Sequence, residues 1–444
     1  MFNLKLIIKA TTVVFLSITV SLISSVSFAK TDVRIMWYGD GETEGVAFKN
    51  QIAKFHASNP NINVIVDEVP YKAIQDTLPV QLAAGEGPDI ARVTDLGGLA
   101  KYYKDLTPFL KDPSYWESSY GPFLKWYRLP GDKTSINGFQ STMTVTGPYV
   151  NKTLFEQAGV NLLGAGATWD EWAIAANKVA SKLNIAIPMG WDRSGHRVAG
   201  PAISMGAKYF GADGKPKLVD SGLKTMTRML YDWHQNGTMS KDLWGSVSGT
   251  TYHAPNEWWN NAGMVMMMSG SWQINRFSKE VGDDFDWWAV PAPCGPSACT
   301  GMPGGNALVA FNANESVGKV MDFLASKESL REFIGDVLAI PGHLDLQVDY
   351  KTDNPLAKHA LETFAGAVPT IDSIAFDLQA HVDNRILFNA TISRLGQAIA
   401  GEMSLEEAWV RMDKDVTKQL KEKYGRSEER RVGKECRSRW SPYH

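Results

Sequence analysis

The apolar positions of this chain switch between two periods. Val33–Tyr38 (VRIMWY) is a continuous apolar run closed by the turn signal Gly39-Asp40-Gly41, and it reads as a strand. Glu44–His56 follows with Val46, Ile52 and Phe55 on one helical face. Asn61–Val69 alternates and is rich in Val and Ile, a second strand. Tyr71–Ala84 returns to helical spacing, interrupted or kinked at Pro79. Gly87-Pro88 then turns into a third short strand, Asp89–Val93. The opening thus reads β-α-β-α-β, the pattern of an α/β fold with a parallel sheet. Asp40 and Asp95 fall just past the C-terminal ends of strands one and three. In open α/β sheets that edge faces the ligand crevice.

A second series begins at Thr168-Trp169-Asp170-Glu171, a capping box that opens a helix to about Leu183. Ile185–Trp191 is strand-like and ends in Asp192-Arg193-Ser194-Gly195. Ser221–Asn236 is an amphipathic helix. Gly263–Met268 is a short apolar strand followed by Ser269-Gly270-Ser271-Trp272. Gly304–Phe311 returns to strand, and Ser316–Ala325 and Glu328–Leu338 to helix. No internal repeat or long flexible linker separates the two series. Two lobes joined by several crossings are expected, with the first over 31–141 and 306–348 and the second over 146–303 and 352–425.

The two ends stand outside this pattern. Residues 1–29 read as a secretory signal: Lys5 and Lys9, an apolar stretch from Ala10 to Val26, and Ser27-Phe28-Ala29 before the cleavage point. No Cys lies near that point, so no lipid anchor is expected there. The apolar period of the last helix runs over Leu405–Tyr424 and is expected to stop at Gly425. Arg426–His444 has no amphipathic pattern and resembles the translation of a short-read sequencing adapter, so 426–444 is read as a non-native tail.

Composition narrows the class. The 444 residues are 44% apolar and carry a formal charge of −3, which excludes a disordered chain. Without the two ends, 37 basic and 45 acidic residues remain, a charge of −8, which gives no electrostatic reason to expect nucleic acid. Two of the 3 Cys remain, Cys294 and Cys299, in a Pro/Gly loop. In an exported protein they form a candidate disulfide, whereas their spacing, with no nearby His, is poor for zinc. The 15 Trp are an excess. Trp169 and Trp172 flank the capping box, Trp258 and Trp259 are expected to seat their segment on a core, and at most one of Trp287 and Trp288 should face a cleft. Met264–Met268 and Met302 read as core, and no metal or cofactor site is expected.

Several stretches resemble, in order, the extracellular solute-binding proteins of ABC importers, in the sugar-binding group related to maltose-binding proteins. They are IMWYGDGETEGVAFKNQIAKFHASNPNINV, LAAGEGPDIARV, GPYVNKTLFEQAGV, TWDEW, GMVMMMSGSWQINRF and GGNALVAF. The resemblance implies a two-lobed, type II-like periplasmic binding protein fold, each lobe a mostly parallel sheet flanked by helices. It further implies a sugar held in the inter-lobe cleft, lobe closure on binding, a membrane permease as partner, a periplasmic monomer, and no catalysis. Sugars need aromatic platforms and acidic or amide acceptors. The candidates are Asp40, Glu42, Asp95, Trp191, Asp192, His196, Arg197 and Trp272, with Gly304 and Gly305 letting backbone approach the ligand.

The chain departs from the maltose-binding pattern. No Lys stands beside Asp40, Thr144 falls near a position that family members often fill with a carboxylate, and the cysteine loop is an addition. A secreted carbohydrate-active enzyme is the competing class, since carboxylates and aromatics also line glycosidase clefts. The chain lacks GxSxG, HExxH and GxxxxGK[ST] motifs. A binder of a glycerol phosphodiester, a polyamine or another anionic solute is the alternative on the same fold, kept open by Arg193, His196 and Arg197.

Overall fold

A computed structural model describes residues 30–39, 42–244 and 253–438, with backbone alone for Glu42, 253–254 and 426–438. The leader expected over 1–29 and the residue Asp40 lie outside the described residues.

Among the described residues nine strands carry the architecture: β1 (Thr31–Trp37), β2 (Ile62–Glu68), β3 (Ile90–Val93), β4 (Gly138–Asn151), β5 (Ile187–Trp191), β6 (Met264–Gly270), β7 (Trp287–Ala289), β8 (Pro303–Ala310) and β9 (Ile340–Pro341). Their order is β2-β1-β3-β8-β4-β6-β5, with β7 and β9 also paired to β4. β1 runs parallel to β2 and β3, and β5 runs parallel to β6. The pairs made by β8 and β4 are antiparallel. The parallel character expected from sequence therefore belongs to the outer strands, and the second sheet holds a single parallel pair. Helices Glu42–Ser58, Tyr71–Asp76 and Leu78–Ala84 connect the first three strands. The break falls at Thr77, with Pro79 in the first turn of the next helix, where a missing N–H costs nothing.

β4 is the strand that the apolar pattern does not single out. It is buried almost throughout, yet Gln140, Ser141, Thr142, Thr146 and Asn151 are among its buried residues. Those polar types hide it from any reading of apolar period. Up to Val145 it pairs with β8, and from Thr146 it pairs with β6 and β7. One strand thus belongs to both sheets. The crossing is held on both sides. Thr146 N–H donates to the Met302 carbonyl at 3.0 Å, and Met302 N–H donates to Thr146 Oγ1 at 2.7 Å. Val145 N–H donates to Ser271 Oγ at 3.2 Å, and Ser271 N–H donates to the Val145 carbonyl at 3.0 Å. Gly301 lies so close that a Cβ there would stand 2.1 Å from the Thr146 carbonyl.

The cores fill as the apolar runs require. Met264–Met268 and Met302 are fully buried, as are Trp169, Trp172, Trp259 and Trp287. Trp258 departs from expectation at 46% exposed. Helix His253–Asn260 turns its neighbour Trp259 inward instead, against Phe277 and Phe285. Cys294 and Cys299 are joined in a disulfide. Cys294 N–H donates to the Ala167 carbonyl, and its own carbonyl accepts from Trp169 N–H, so the loop seats the start of helix Trp169–Leu183. The last helix does not stop at Gly425 but runs over Leu405–Ser438. Its final part is rich in Glu, Arg and Lys, good helix formers that need no apolar stripe. Among the described residues no helix is long and apolar enough to cross a membrane.

Replacing Thr146 by Val keeps the side-chain volume and strands the buried Met302 N–H. Urea unfolding is expected to show a loss of about 1–3 kcal/mol in stability. An unchanged midpoint would show that the crossing does not depend on this hydroxyl.

Candidate functional site

A cleft of about 570 Å³ opens where the two sheets meet, walled by residues from both. The first sheet supplies Tyr38 and Gly39 after β1, and Thr94 and Asp95 after β3. The shared strand supplies Thr142, Met143 and Thr144, and β8 supplies Gly304, Gly305 and Asn306. The second sheet adds the Arg193–Arg197 segment after β5, and Ser271 and Trp272 after β6. Helix Asn384–Ile399 closes one side with Asn384, Arg385, Phe388, Asn389 and Ile392.

The aromatic surface has two parts. Tyr38 and Tyr71 form a tilted pair with ring centroids 4.8 Å apart. The Tyr38 hydroxyl donates to Asn306 Oδ1, and the Tyr71 hydroxyl lies 2.7 Å from Thr94 Oγ1. Trp272 stands on the far wall with the Arg197 guanidinium 4.2 Å from its ring centroid. Its six-membered ring lies over Gly270, where a Cβ would come within 2.1 Å of it. Any larger residue at 270 would push the indole from its place.

The cleft is rich in cations, and most of them are matched. Arg92, 1% exposed, is clamped by both carboxylate oxygens of Glu44, at 2.6 and 2.9 Å, and also donates to the Tyr38 carbonyl. Arg197 pairs with Asp192 at 2.8 Å, Arg385 with Asp95 at 3.7 Å, Arg276 with Glu280 at 3.6 Å and Lys72 with Asp76 at 2.6 Å. Burial pushes the Asp95 carboxyl up, and the Arg385 charge opposes that shift. His196 Nε2 lies 3.0 Å from the Pro303 carbonyl. A carbonyl can only accept, so that nitrogen carries the proton and Nδ1 keeps a lone pair. Burial and the neighbouring Arg197 charge push His196 down to about 4. It is therefore neutral near pH 7.

Six of the residues singled out from sequence line the cleft: Asp95, His196, Arg197, Trp272, Gly304 and Gly305. Asp40 lies outside the described residues, and Glu42 is described only as the first residue of its helix. Two expectations need correction. Trp191 is not a platform: it is 2% exposed and packs edge-on between Trp169 and Trp233. β5 is buried on both faces, so its terminal residue has no open side. Asp192, 3% exposed, does not line the cleft either but holds Arg197 in place. Gly305 also has a structural reason to be glycine. Gly305 has a φ of +123°, and a Cβ there would stand 1.9 Å from the Thr142 carbonyl. It answers to the irregular β4–β8 register between Gln140 and Thr142.

Sequence reading missed Tyr38, Tyr71, Arg92 and the helix Asn384–Ile399. Arg92 was visible as a lone charge inside the apolar run IARV, a position that demands a buried partner. Arg385, Phe388, Asn389 and Ile392 recur at helical spacing, but nothing local told that face from an ordinary solvated one. Among the described residues no group of three or more His, Cys, Asp or Glu side chains could hold a metal ion.

Comparison with known proteins bears on this arrangement. The family model described as bacterial extracellular solute-binding protein matches residues 39–330. A curated binding protein of Brucella abortus (strain 2308) is 23% identical over 334 residues, 70% of this chain and 76% of its own. Among solved structures, the GacH receptor of Streptomyces glaucescens, described unliganded and with acarbose, superimposes with a TM-score of 0.73 at 16% identity, covering 88% of this chain and 99% of that one. An ABC substrate-binding protein of Listeria monocytogenes in complex with cycloalternan gives 0.71 at 17% identity, with 88% and 99% covered. The maltose/maltodextrin-binding domain of Bdellovibrio bacteriovorus, bound to maltotriose, gives 0.70 at 15% identity, with 88% and 100% covered. At these identities the structural likenesses establish the two-lobed fold.

The neutral histidines set a pH dependence. His196 and His234, the latter 2.6 Å from the Leu230 carbonyl through Nδ1, are both lowered to about 4 by burial. An unfolded histidine titrates near 6.5. Between pH 6.5 and 4 the unfolded chain binds the protons that the folded chain refuses, so stability present above pH 6.5 is lost as pH falls through that window. Denaturant unfolding of His234→Asn at pH 4.5–6.5 is expected to show a shallower slope than the parent, by about one proton. Equal slopes would place the His234 pKa near its ordinary value.

Proposed function

The chain belongs to the bacterial extracellular solute-binding protein family, and on that premise we propose that it is the exported binding component of an ABC importer, capturing a sugar between its lobes and presenting it to a membrane permease. One observation carries the reading. A single cleft at the crossing of the two sheets is walled by both lobes and combines separated aromatic surfaces with a dense set of amides. Trp272 and the Tyr38–Tyr71 pair are the proposed platforms for sugar C–H groups, while the Asn389 amide suits hydroxyls. The sugar ligands of the three superimposed proteins, acarbose, cycloalternan and maltotriose, support it. In this reading the leader is cleaved after Ala29, the mature monomer works in the periplasm, and Asp40 and Glu42 add hydroxyl acceptors at the turn after β1. The lobes are 31–141 with 306–348, and 146–303 with 352–425. No nucleic acid and no cofactor take part.

Closure of the lobes about the β4 crossing is the proposed mechanism. Contacts across the cleft support it: Lys279 donates to Thr43 Oγ1, and Arg385 pairs with Asp95. Hydrolysis fits less well. A retaining glycosidase needs one carboxylate able to attack and another able to donate a proton. Of the two carboxylates that line it among the described residues, Glu44 has both oxygens engaged by Arg92.

A thermal-shift screen over neutral and charged mono- and oligosaccharides is expected to give a ligand that raises Tm, because it binds the folded state alone. Small-angle scattering with that ligand should show compaction. Slow turnover of the ligand, or saturation without compaction, would overturn this reading. Trp272→Ala is expected to weaken the ligand about tenfold, from loss of stacking worth about 1 kcal/mol or more. Unchanged affinity would remove Trp272 as a platform.

A further inference from the structure

Charge matching in the cleft leaves one cation over. Among the described residues, every cleft Arg and Lys has a carboxylate within 4.0 Å except Arg193. Its only hydrogen bond there is from Nη2 to the Ile392 carbonyl at 3.3 Å, and its Nε is buried without a partner. A guanidinium carries five N–H donors in a rigid fork, so most of this one is unspent. Burial alone shifts its pKa, downward, with no counter-charge acting on it. Arg193 is half-buried, and keeping its Nε from water without a partner is costly unless an anion completes the fork.

The surroundings are built to keep it there. A Cβ at Gly396 would stand 2.8 Å from Arg193 Nη2, so glycine at that point of helix Asn384–Ile399 makes room for the guanidinium. Helix Gly195–Ser204 begins two residues later, capped by Ser194, with its first turn on the cleft wall. A Cβ at Gly195 would come within 2.4 Å of the Phe388 backbone, which pins that start against the opposite helix. The N-terminus of a helix favours negative charge and adds to the guanidinium. His196, neutral, adds none. Among the described residues the excess at this corner is therefore a single positive charge.

We propose that the sugar taken by this cleft is a monoanion, carrying one carboxylate as in a hexuronate residue, and that Arg193 grips that carboxylate. The carboxylate meets the guanidinium fork in two parallel N–H···O bonds. A phosphate ester would bring a second negative charge for which the corner has no second unmatched cation. The inference rests on the sugar-binding reading above and names the class of sugar.

Calorimetric titration of the full mature chain tests it, with maltose, cellobiose and galactobiose against digalacturonate, dimannuronate and glucose 6-phosphate. The best uronate is expected to bind at least tenfold tighter than the best neutral sugar. In Arg193→Gln that advantage should vanish. Arg193→Lys, which keeps the charge but not the fork, should recover only part. Thermal melts of both variants check that they fold. A neutral sugar binding as tightly as any uronate, or a uronate advantage that survives in Arg193→Gln, overturns the inference and leaves sugar binding intact. A sugar phosphate that binds tightest overturns the monoanion. Failure of every sugar, neutral or charged, overturns both readings.

Discussion

Everything in this molecule depends on one strand serving two sheets. β4 gives its first half to β8 and its second half to β6 and β7. Two layered α/β units are thereby joined through backbone hydrogen bonds rather than through a linker. The join is reinforced at Val145 and Thr146 by bonds to Ser271 and Met302, which lead into the two segments carrying Trp272 and the Gly304–Asn306 wall. The structural crossing thus directly adjoins the floor of the cleft, where Thr142, Met143 and Thr144 line it on one side of the crossing and Ser271 and Trp272 on the other. A change of angle at the crossing moves the walls relative to each other while leaving each sheet intact.

The cleft shows how a site can be crowded with charge and still be specific. Among the described residues five arginines line it, yet four are committed to carboxylates that orient them. Arg92 is spent on Glu44 and on the backbone of Tyr38, so its work is to fix the aromatic wall. Arg197, held by Asp192, lies on Trp272 and fixes the opposite wall. Matched charges of this kind act as scaffolding, and the unmatched one carries the electrostatic preference. Polar satisfaction, more than the number of cations, decides what the cleft accepts.

Much of the fold was legible because its outer strands are apolar and its turns are marked. β2, β3 and β5 lie within runs read from sequence, β1, β6 and β8 overlap theirs to within two residues, and the capped helix Trp169–Leu183 starts and ends where it was read. The shared strand was not legible. Gln140, Thr142, Thr146 and Asn151 are polar residues buried by tertiary pairing, and periodicity registers only apolar burial. The same limit explains Trp191. Sequence placed it at a strand end, where ligands gather, but only the packing of Trp169 and Trp233 on either side shows that the position is closed.

The sequence alone determined the class of protein and the segments from which the cleft is drawn, because the α/β rhythm and the strand-end turns are local properties of neighbouring residues. It also supplied the residues for matched ion pairs. Which carboxylate meets which guanidinium is a long-range fact: Glu44 and Arg92, or Asp95 and Arg385, meet only through the sheet order and the helix packing. Tertiary structure therefore decided which aromatics line the cleft and which cation, among the described residues, is left without a carboxylate. Both follow from burial and proximity, quantities that a linear pattern does not contain.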